Sequence, residues 1–271
     1  MKITGDWLTD PATQSVLGML SAARYQALCV GGCVRNALLG VPVADVDIAT
    51  DALPETVTIL AKKAGLRAVP TGIEHGTVTV VARGTGFEVT TFRHDVETYG
   101  RHARVAFSAD LKQDAQRRDL TMNALYAQAD GQVIDPIGGL ADITARRVRF
   151  VGAPEDRIQE DALRILRFFR FHAQYGDPAQ GLDPEALAAC ARHSAMLETL
   201  SRERIGAEMR KLLAAPDPAP AVAAMQASGV LLRLLPGADA RALPVLVHLE
   251  GDAPGGWLRR LAVLGGESPA E

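Results

Sequence analysis

Apolar and polar residues in the first 150 positions alternate in short segments, a pattern that predicts strands mixed with helices. Residues 27–30 form a short apolar run that ends at a pair of glycines, and residues 46–48 form a second short extended segment. Residues 77–81 and 87–92 are rich in β-branched side chains, and a turn-rich connection separates them. These last two segments predict a β-hairpin.

A helix is also predicted within the first 150 residues, and helical patterns dominate after about residue 150. Pro54 suits the first turn of a helix and Gly65 suits its end, so a helix is predicted between them. Residues 154–175 predict one helix, because apolar residues recur at helical spacing, at Ala162, Ile165, Leu166 and Phe169. Further helices are predicted over residues 184–195 and after Ser201.

The final part of the chain combines a proline-rich break with short helical patterns. Residues 214–221 predict a turn or linker, and the residues that follow predict short helices. The polar end, residues 265–271, is expected to fray. Together the patterns predict an α+β chain in which a mixed region precedes an all-helical region.

Composition limits the classes of protein that fit. The chain has 271 residues, of which 48% are hydrophobic and 23% charged, so a large core can form. Its formal charge of −3 means that any contact with nucleic acid must come from a local basic face. The three cysteines complete neither a zinc site nor an even disulfide set, which predicts reduced, mostly buried thiols. We find no signal peptide and no run of 18 apolar residues, so a cytoplasmic location is expected.

The most informative segment joins a glycine pair to two aspartates. Asp45 and Asp47 are two residues apart in a predicted strand, so their side chains should point the same way. Two adjacent carboxylates repel each other, and Mg²⁺, which takes oxygen ligands, would relieve that repulsion. Glu88 lies mid-strand in an apolar context, and a neighbouring strand could bring it to the same metal ions. The glycines, Gly31 and Gly32, would let backbone N–H groups approach a triphosphate closely.

These residues are the predicted catalytic centre. Two metal ions about 4 Å apart can activate a 3′-hydroxyl and stabilise a pyrophosphate leaving group. We therefore predict Asp45, Asp47 and Glu88 as catalytic and the two aspartates as Mg²⁺ ligands. A lone D-x-D sequence also occurs in surface turns, and Glu88 could instead pair with an arginine. The twelve residues between the glycine pair and Asp45 favour the catalytic interpretation, because nucleotidyltransferases have a similar spacing.

Five ordered motifs resemble the class II tRNA nucleotidyltransferases and bacterial poly(A) polymerases, within the DNA polymerase β superfamily. The motifs are residues 31–36 with 45–50, 117–124, 135–139, 160–167 and 201–213. The resemblance implies a polymerase-β-like nucleotidyltransferase head with a mixed sheet, followed by an all-α neck and body. By this division the head covers residues 1–150, a base-reading neck covers 151–213, and a partial helical body covers 214–271.

The resemblance also implies an activity, the addition of C, C and A to the 3′ end of tRNA from CTP and ATP. In this family Asp161 and Arg164 would read the base. A carboxylate accepts from an exocyclic amine and a guanidinium donates to ring acceptors, which suits the Watson–Crick edges of C and A. We expect the two side chains to be neighbours, three residues apart on one helix. The other implied nucleotide-binding residues are Gly31, Gly32, Arg35, Arg118, Asp119, Asn123, Arg167 and Arg170.

Alternatives stay open for several of these residues. Asp161 and Arg164 could form a surface ion pair, and Asp119 could serve as a helix N-cap. Arg164, Arg167 and Arg170 are predicted to form one cationic stripe, which could hold a triphosphate or the acceptor end of an RNA, or could be a solvated helix face.

The overall activity also has alternatives. A poly(A) polymerase or a CC-adding enzyme of the same family would share these motifs, and a catalytically dead RNA-binding homologue could keep some of them. Residues 93–102 resemble the family's flexible loop, which argues against a CC-only enzyme. Intact Asp45 and Asp47 argue against a dead homologue. The sequence departs from the family in having Asn36 where aspartate is common, and in ending well before the usual further body and tail domains.

Overall fold

The computed structural model describes residues 1–99, 102–251 and 256–266. These residues form two compact units. The first unit consists of residues 1–98 and 102–144, and the second consists of the described residues from Ala145 onward together with Tyr99. No helix in the described ranges is long and apolar enough to cross a membrane.

The first unit is built on a mixed sheet. Its helices are α1 (Asp6–Thr9), α2 (Pro11–Ala22), α3 (Gly32–Leu39), α4 (Pro54–Lys63), α5 (Leu111–Gln116) and α6 (Gly139–Thr144). Its strands are β1 (Leu28–Val30), β2 (Asp47–Thr50), β3 (Arg67–Gly72), β4 (Thr77–Ala82), β5 (Thr85–Thr91), β6 (Arg93–Tyr99), β7 (His102–Phe107), β8 (Tyr126–Ala127) and β9 (Val133–Ile134). Seven strands pair in the order β3-β4-β5-β2-β1-β8-β9, and β6 and β7 form a separate two-stranded sheet. The pair β2 and β5 is parallel, whereas β1 pairs antiparallel with both β2 and β8.

The predicted hairpin is confirmed as β4 and β5. Val78, Val80 and Ala82 are buried on one face of β4, as the alternating sequence requires. The turn consists of Arg83 and Gly84, both at positive φ (49° and 86°), which is the conformation that two-residue hairpin turns favour. This hairpin brings β5 to the edge of β2 and so fixes the position of Glu88 in the sheet.

Helices α2 and α4 cover this part of the sheet. Val16, Leu17 and Leu20 on α2 are fully buried, and burial of each such side chain stabilises the fold by about 1.5–3 kcal/mol. The predicted helix at Pro54 is confirmed as α4, which ends one residue before Ala64, and Gly65 follows in a left-handed conformation. The polar stretch predicted as a loop contains β6 and β7 instead, and residues 100 and 101 lie outside the described residues.

From Ala145 onward, the named regular elements of the described residues are all helices, which agrees with the predicted change of pattern. Its helices are α7 (Pro154–Glu160), α8 (Leu163–Tyr175), α9 (Pro184–Arg192), α10 (Arg202–Leu213), α11 (Ala219–Ala227), α12 (Val230–Leu234), α13 (Leu243–Glu250) and α14 (Trp257–Leu264). Helix α10 begins after Ser201, as predicted, and the Ser201 hydroxyl accepts a hydrogen bond from the Arg204 backbone N–H at 3.4 Å. The predicted linker is shorter than expected, because α11 already begins at Ala219.

The single helix predicted over residues 154–175 is wrong. Helix α7 ends at Glu160, Asp161 has an extended backbone (φ −155°, ψ 110°), and α8 starts at Leu163. The Asp161 carboxylate accepts a hydrogen bond from the Leu163 backbone N–H at 3.1 Å. An aspartate in this position satisfies a backbone donor at the start of the second helix, which stabilises the interruption.

Candidate active site

The predicted glycine pair forms a tight turn between β1 and α3. The backbone of Gly31 has φ 71° and ψ −117°, a conformation that residues other than glycine rarely adopt. A Cβ atom at this position would lie 3.5 Å from Nη1 of Arg118 and 3.8 Å from the backbone oxygen of Asn123. Because α3 begins at Gly32, its first N–H groups open onto this turn and can receive an anion.

The predicted carboxylates meet beside this turn at the start of β2. Asp47 is the first residue of β2, and the parallel register pairs it with Glu88 on β5. Asp45 lies before the strand rather than in it, so the expected strand alternation does not apply to it. All three side chains are exposed to solvent. The structure thus brings Glu88 next to Asp47, as the sequence suggested.

Electrostatic repulsion marks this cluster. Neighbouring protein atoms exclude part of the water around the Asp47 carboxyl, and this desolvation raises its pKa. The negative charges of Glu88 and Asp45 raise the pKa further, whereas the positive charge of Arg118 lowers it. The carboxyl nevertheless keeps part of its surface open to solvent. Binding of a cation would reduce the repulsion between these carboxylates.

The donor chemistry of the cluster fits Mg²⁺. In the described part of the chain, no group of three or more His, Cys, Asp or Glu side chains forms a complete metal site. Mg²⁺ does not need such a site, because it usually binds one or two carboxylates and takes its other ligands from water and substrate phosphates. The exposed Asp45 and Asp47 carboxylates supply such ligands.

Four of the predicted nucleotide-binding residues form one hydrogen-bonded network. The Arg35 Nη1 group donates to Oδ1 of Asn123 at 2.6 Å, and the Asn123 side-chain amide donates to Oδ1 of Asp119 at 3.0 Å. Arg118 Nη1 donates to the Asn123 backbone oxygen at 3.4 Å. Arg35, Asp119 and Asn123 are buried, so their geometry is fixed by the fold. The structure therefore places a guanidinium and amide network directly against the glycine turn.

The asparagine that departs from the family pattern takes part in this network. The Asn36 Oδ1 atom accepts from Arg35 Nε at 3.1 Å and from Nη2 at 2.9 Å. Its amide nitrogen donates to the Pro42 backbone oxygen at 2.8 Å. An aspartate could accept from Arg35 but could not donate to Pro42, so the asparagine ties α3 to the following loop.

The predicted base-reading residues lie in the second unit, and both are held by ion pairs. Asp161 Oδ2 accepts from Arg204 Nη2 at 2.6 Å. Arg164, on the first turn of α8, forms an ion pair with Glu160 and donates to the Arg157 backbone oxygen at 3.1 Å. The expectation that Asp161 and Arg164 share one helix is wrong, because Asp161 lies in the break between α7 and α8.

A cavity of about 470 Å³ opens beside Asp161. Arg204, Thr199 and Ser201 contribute to its lining, together with Asp161 itself. Sequence reasoning missed Arg204 and Glu160 as partners of the predicted base readers. The i, i+4 spacing of Glu160 and Arg164 could have predicted the second pair.

The predicted cationic stripe on α8 is wrong for Arg170. Its side chain is buried, donates to Glu208 Oε2 at 2.6 Å and to Gln174 Oε1 at 3.0 Å, and lies over the Phe171 ring at 4.4 Å. Six residues turn a helix by about 240°, so Arg170 faces about 120° away from Arg164. Arg167 is half-buried and also stacks on Phe171, at 5.3 Å.

Comparisons with known proteins agree with the motifs. Residues 27–149 match the family described as the Poly A polymerase head domain, and residues 181–241 match the family described as the probable RNA and SrmB-binding site of polymerase A. The first match contains the glycine turn, all three carboxylates and the Arg35–Asn123 network. The second match contains Arg204 and the cavity-lining residues from Met196 to Ser201, whereas Asp161 and its neighbours in the cavity lie before it in the sequence.

Relatives and solved structures extend this likeness. The CCA-adding enzyme of Lacticaseibacillus paracasei is 43% identical over 215 residues, which cover 78% of this chain and 52% of the relative. The human CCA tRNA nucleotidyltransferase 1, mitochondrial, is 41% identical over 201 residues, 74% of this chain and 46% of that protein. The crystal structure of the Bacillus stearothermophilus CCA-adding enzyme in complex with CTP matches with a TM-score of 0.73 and 38% identity, covering 89% of this chain and 57% of that one. The chain spans about half the length of the curated relatives it matches.

Proposed function

Since the chain belongs to the family of tRNA nucleotidyltransferases and bacterial poly(A) polymerases, we propose that it adds C, C and A to the 3′ end of tRNA, using CTP and ATP. The observation that carries this proposal is the position of Asp47 beside Glu88 at the glycine turn. The relatives named CCA-adding enzymes, at about 43% identity, support the choice of tRNA as the substrate.

The carboxylate cluster would hold the metal. Asp45 and Asp47 would ligate Mg²⁺, and Glu88 would act with them as a catalytic carboxylate. When bound, a pair of such ions stabilises charge on the α-phosphate and on the attacking and leaving oxygens. The raised pKa of Asp47 supports this assignment, because like charges in the metal-free site are what a cation would neutralise.

The remaining residues would bind and orient the nucleotide. The N–H groups at Gly31 and Gly32 would hold the triphosphate, and Arg35, Arg118, Asp119 and Asn123 would hold the sugar and phosphates. Arg167 is a further predicted nucleotide contact, whereas the buried Arg170 pairs with Glu208 and is not retained as one. The RNA 3′-oxygen attacks the α-phosphorus in line, the new P–O bond forms, and the bond to the β-phosphate oxygen breaks. Pyrophosphate leaves, and the proton of the 3′-hydroxyl passes to solvent.

Base selection would rest on Asp161 and Arg164 in the second unit. Their carboxylate and guanidinium complement the amine and acceptor edges of C and A, whereas U and G present the opposite arrangement. We propose that residues 1–150 act as the catalytic head, 151–213 as the neck that reads the base, and 214–271 as part of the body. Buried, unpaired thiols at Cys29, Cys33 and Cys190 support a reducing compartment such as the cytoplasm as the site of this reaction.

A transfer assay tests the proposal. The purified chain is incubated with Mg²⁺, labelled CTP or ATP, and tRNAs that end before CCA, end before the final A, or are complete. We expect CC and then A to be added to the first, A alone to the second, and nothing to the third. Long A tracts on any RNA would instead identify a poly(A) polymerase, CC without A would identify a CC-adding enzyme, and no transfer would contradict a nucleotidyltransferase activity of this chain.

A further inference from the structure

A buried carboxylate and a buried phenol lie behind Arg118. The Asp114 side chain is 2% exposed and the Tyr126 side chain is inaccessible. Asp114 Oδ2 accepts from the Tyr126 hydroxyl at 2.7 Å and from Arg118 Nη2 at 3.0 Å, and Arg118 Nε donates to the Tyr126 oxygen at 3.1 Å. These three groups therefore form a closed hydrogen-bonded ring. A carboxylate is seldom buried to this extent unless it is paired in this way.

The ring connects helix α5 and strand β8 to the glycine turn. Asp114 is on α5, four residues before Arg118, and Tyr126 is on β8, where it pairs with Val30, the residue before Gly31. Arg118 also lies over the Tyr126 ring, with 5.3 Å between its Cζ atom and the ring centroid. The guanidinium is thus fixed to the strand that leads into the turn. An i, i+4 aspartate–arginine pair could have been found in the sequence, but the tyrosine could not.

The Asp114 carboxylate in the ring is stabilised in its charged form by the guanidinium groups beside it. Burial acts to raise the pKa of Asp114, but the charges of Arg118 and Arg117 and the hydrogen bond from Tyr126 outweigh it and lower the pKa below its usual range. The Asp114 carboxylate therefore faces two guanidinium groups. Arg118 donates three of its five N–H groups to these contacts, which fixes the plane of the guanidinium.

We propose that Asp114 and Tyr126 are positioning residues, which hold the Arg118 guanidinium against the Gly31–Gly32 turn in the orientation that binds the incoming nucleotide. Neither residue needs to touch the substrate. The inference rests on the proposed nucleotidyl transfer for its ligand, a nucleoside triphosphate. It deepens that proposal, because it explains how a long, flexible side chain is kept in one rotamer before the nucleotide arrives.

Two variants separate positioning from simple charge neutralisation. Asp114→Asn removes the negative charge beside Arg118, so a purely neutralising aspartate would make triphosphate binding tighter when it is lost. Tyr126→Phe removes one hydroxyl and leaves every charge in place. Positioning predicts that both variants bind CTP more weakly, by about tenfold, as expected when a binding group is misplaced. Asp110→Asn is the matched control. The Asp110 Oδ1 atom accepts a hydrogen bond from the Lys112 backbone N–H at 2.8 Å at the start of the same helix α5, and Asp110 is not part of the ring.

The experiment measures the Kd for CTP by calorimetry in Mg²⁺, and KM and kcat with tRNA that lacks CCA. We expect Kd and KM to rise about tenfold in both variants with kcat nearly unchanged, whereas a loss of folded protein would lower kcat and leave KM alone. In an Arg118→Met background, Asp114→Asn should add less than about twofold, because the aspartate acts through Arg118. The inference is overturned if either variant binds CTP as well as the wild type, or if the effects of Asp114→Asn and Arg118→Met simply add. A chain that binds CTP but transfers nothing would contradict the proposed function instead, and the binding comparison would still stand.

Discussion

The Asp47 carboxylate is destabilised by its neighbours as long as no cation is bound. Glu88 is its register partner on the adjacent parallel strand, and Asp45 is two residues earlier. Partial desolvation of the carboxyl by neighbouring protein atoms raises the pKa of Asp47, and these two charges raise it further. Like charges at neighbouring strand positions destabilise a fold. A residue kept at such a cost in the folded protein is expected to have a function that needs its charge.

Asp47→Asn should separate stability from activity. We expect transfer to fall by more than about a hundredfold, the size of loss seen when one electrostatic stabiliser is removed. The metal-free variant should be as stable as the wild type or more stable, since one of the repelling charges is gone. Mg²⁺ should raise the melting temperature of the wild type but not of the variant.

Thermal melts with and without Mg²⁺ and the transfer assay provide these measurements. Asp130→Asn is the control, because Asp130 is an exposed carboxylate paired with Lys2 at 3.0 Å. Transfer at the wild-type rate by Asp47→Asn would reject the assignment of Asp47 as a metal ligand.

The ion pair between Asp161 and Arg204 predicts a second residue-level effect. One oxygen of Asp161 caps the Leu163 N–H and the other is held by Arg204 at 2.6 Å, so the carboxylate has a fixed orientation. Arg204→Met should leave it free to rotate and so weaken the preference for C and A over U and G by about tenfold. Stability should change by no more than about 1 kcal/mol, because both side chains are partly exposed.

The measurement is the ratio of kcat/KM for CTP to that for UTP. Arg202→Met is a suitable control, because Arg202 is exposed on the same helix. Arg164→Ala should reduce the same ratio if Arg164 reads the base. An unchanged ratio in Arg204→Met, with normal folding, would show that the carboxylate needs no partner to discriminate.

At the residue scale, the chemistry of the site could be predicted better than its support. Gly31 and Glu88 could be proposed because glycine conformation and strand pattern are local properties of the sequence, whereas the alternation expected between Asp45 and Asp47 does not hold. Tyr126 and Arg204 could not be found, because each meets its partner only through tertiary structure. Their contacts with Arg118 and Asp161 join residues from different elements.

At the scale of elements, predictions succeeded where a local conformation decides the outcome. The β4–β5 hairpin follows from its alternation and from the positive φ that Gly84 supplies. The break between α7 and α8 was missed, because apolar spacing continues on both sides of Asp161 and no proline or glycine marks it. The available indication was an aspartate just before an apolar run, which is also typical of a helix N-terminus.

A buried ion pair joins α8 to α10 and predicts an element-level effect. Arg170 and Glu208 pair at 2.6 Å with side chains only 9% and 6% exposed. Glu208→Ala would leave a buried guanidinium without its counter-charge, which typically costs about 3–5 kcal/mol. The double variant Arg170→Met, Glu208→Met should recover most of that loss, because a buried ion pair and an apolar pair of similar volume have similar stability.

Urea unfolding of the two single variants and the double variant measures this coupling. Glu198→Ala is the control, because Glu198 pairs with Arg233 at the surface and should cost less than about 1 kcal/mol. If the losses of stability in the single variants Glu208→Met and Arg170→Met simply add in the double variant, the pair does not hold the two helices together.

At the scale of the whole molecule, the order of motifs predicted the architecture more than any single pattern did. The change from a mixed to a helical region was visible in hydrophobic spacing, and the structure divides between residues 144 and 145. The sheet order could not be read from local patterns, because β2 pairs with β5 across two intervening strands. The resemblance implied a mixed sheet but not its strand order, and neither propensity nor alternation gives that order.

The net charge of the chain predicts how RNA binding responds to salt. The chain has 29 lysines and arginines against 32 acidic residues, so its overall field does not attract a polyanion. On the proposed function, tRNA would therefore be bound by a few local contacts. A protein that contacts six to ten phosphates loses about 10³–10⁵-fold in affinity between 50 and 200 mM salt. We expect tRNA affinity here to fall by less than about a hundredfold over that range, measured by anisotropy of end-labelled tRNA that lacks CCA. CTP affinity measured at the same salt concentrations corrects for screening at the nucleotide site. A loss of a thousandfold or more would mean that a concentrated basic surface, rather than a few contacts, binds the RNA.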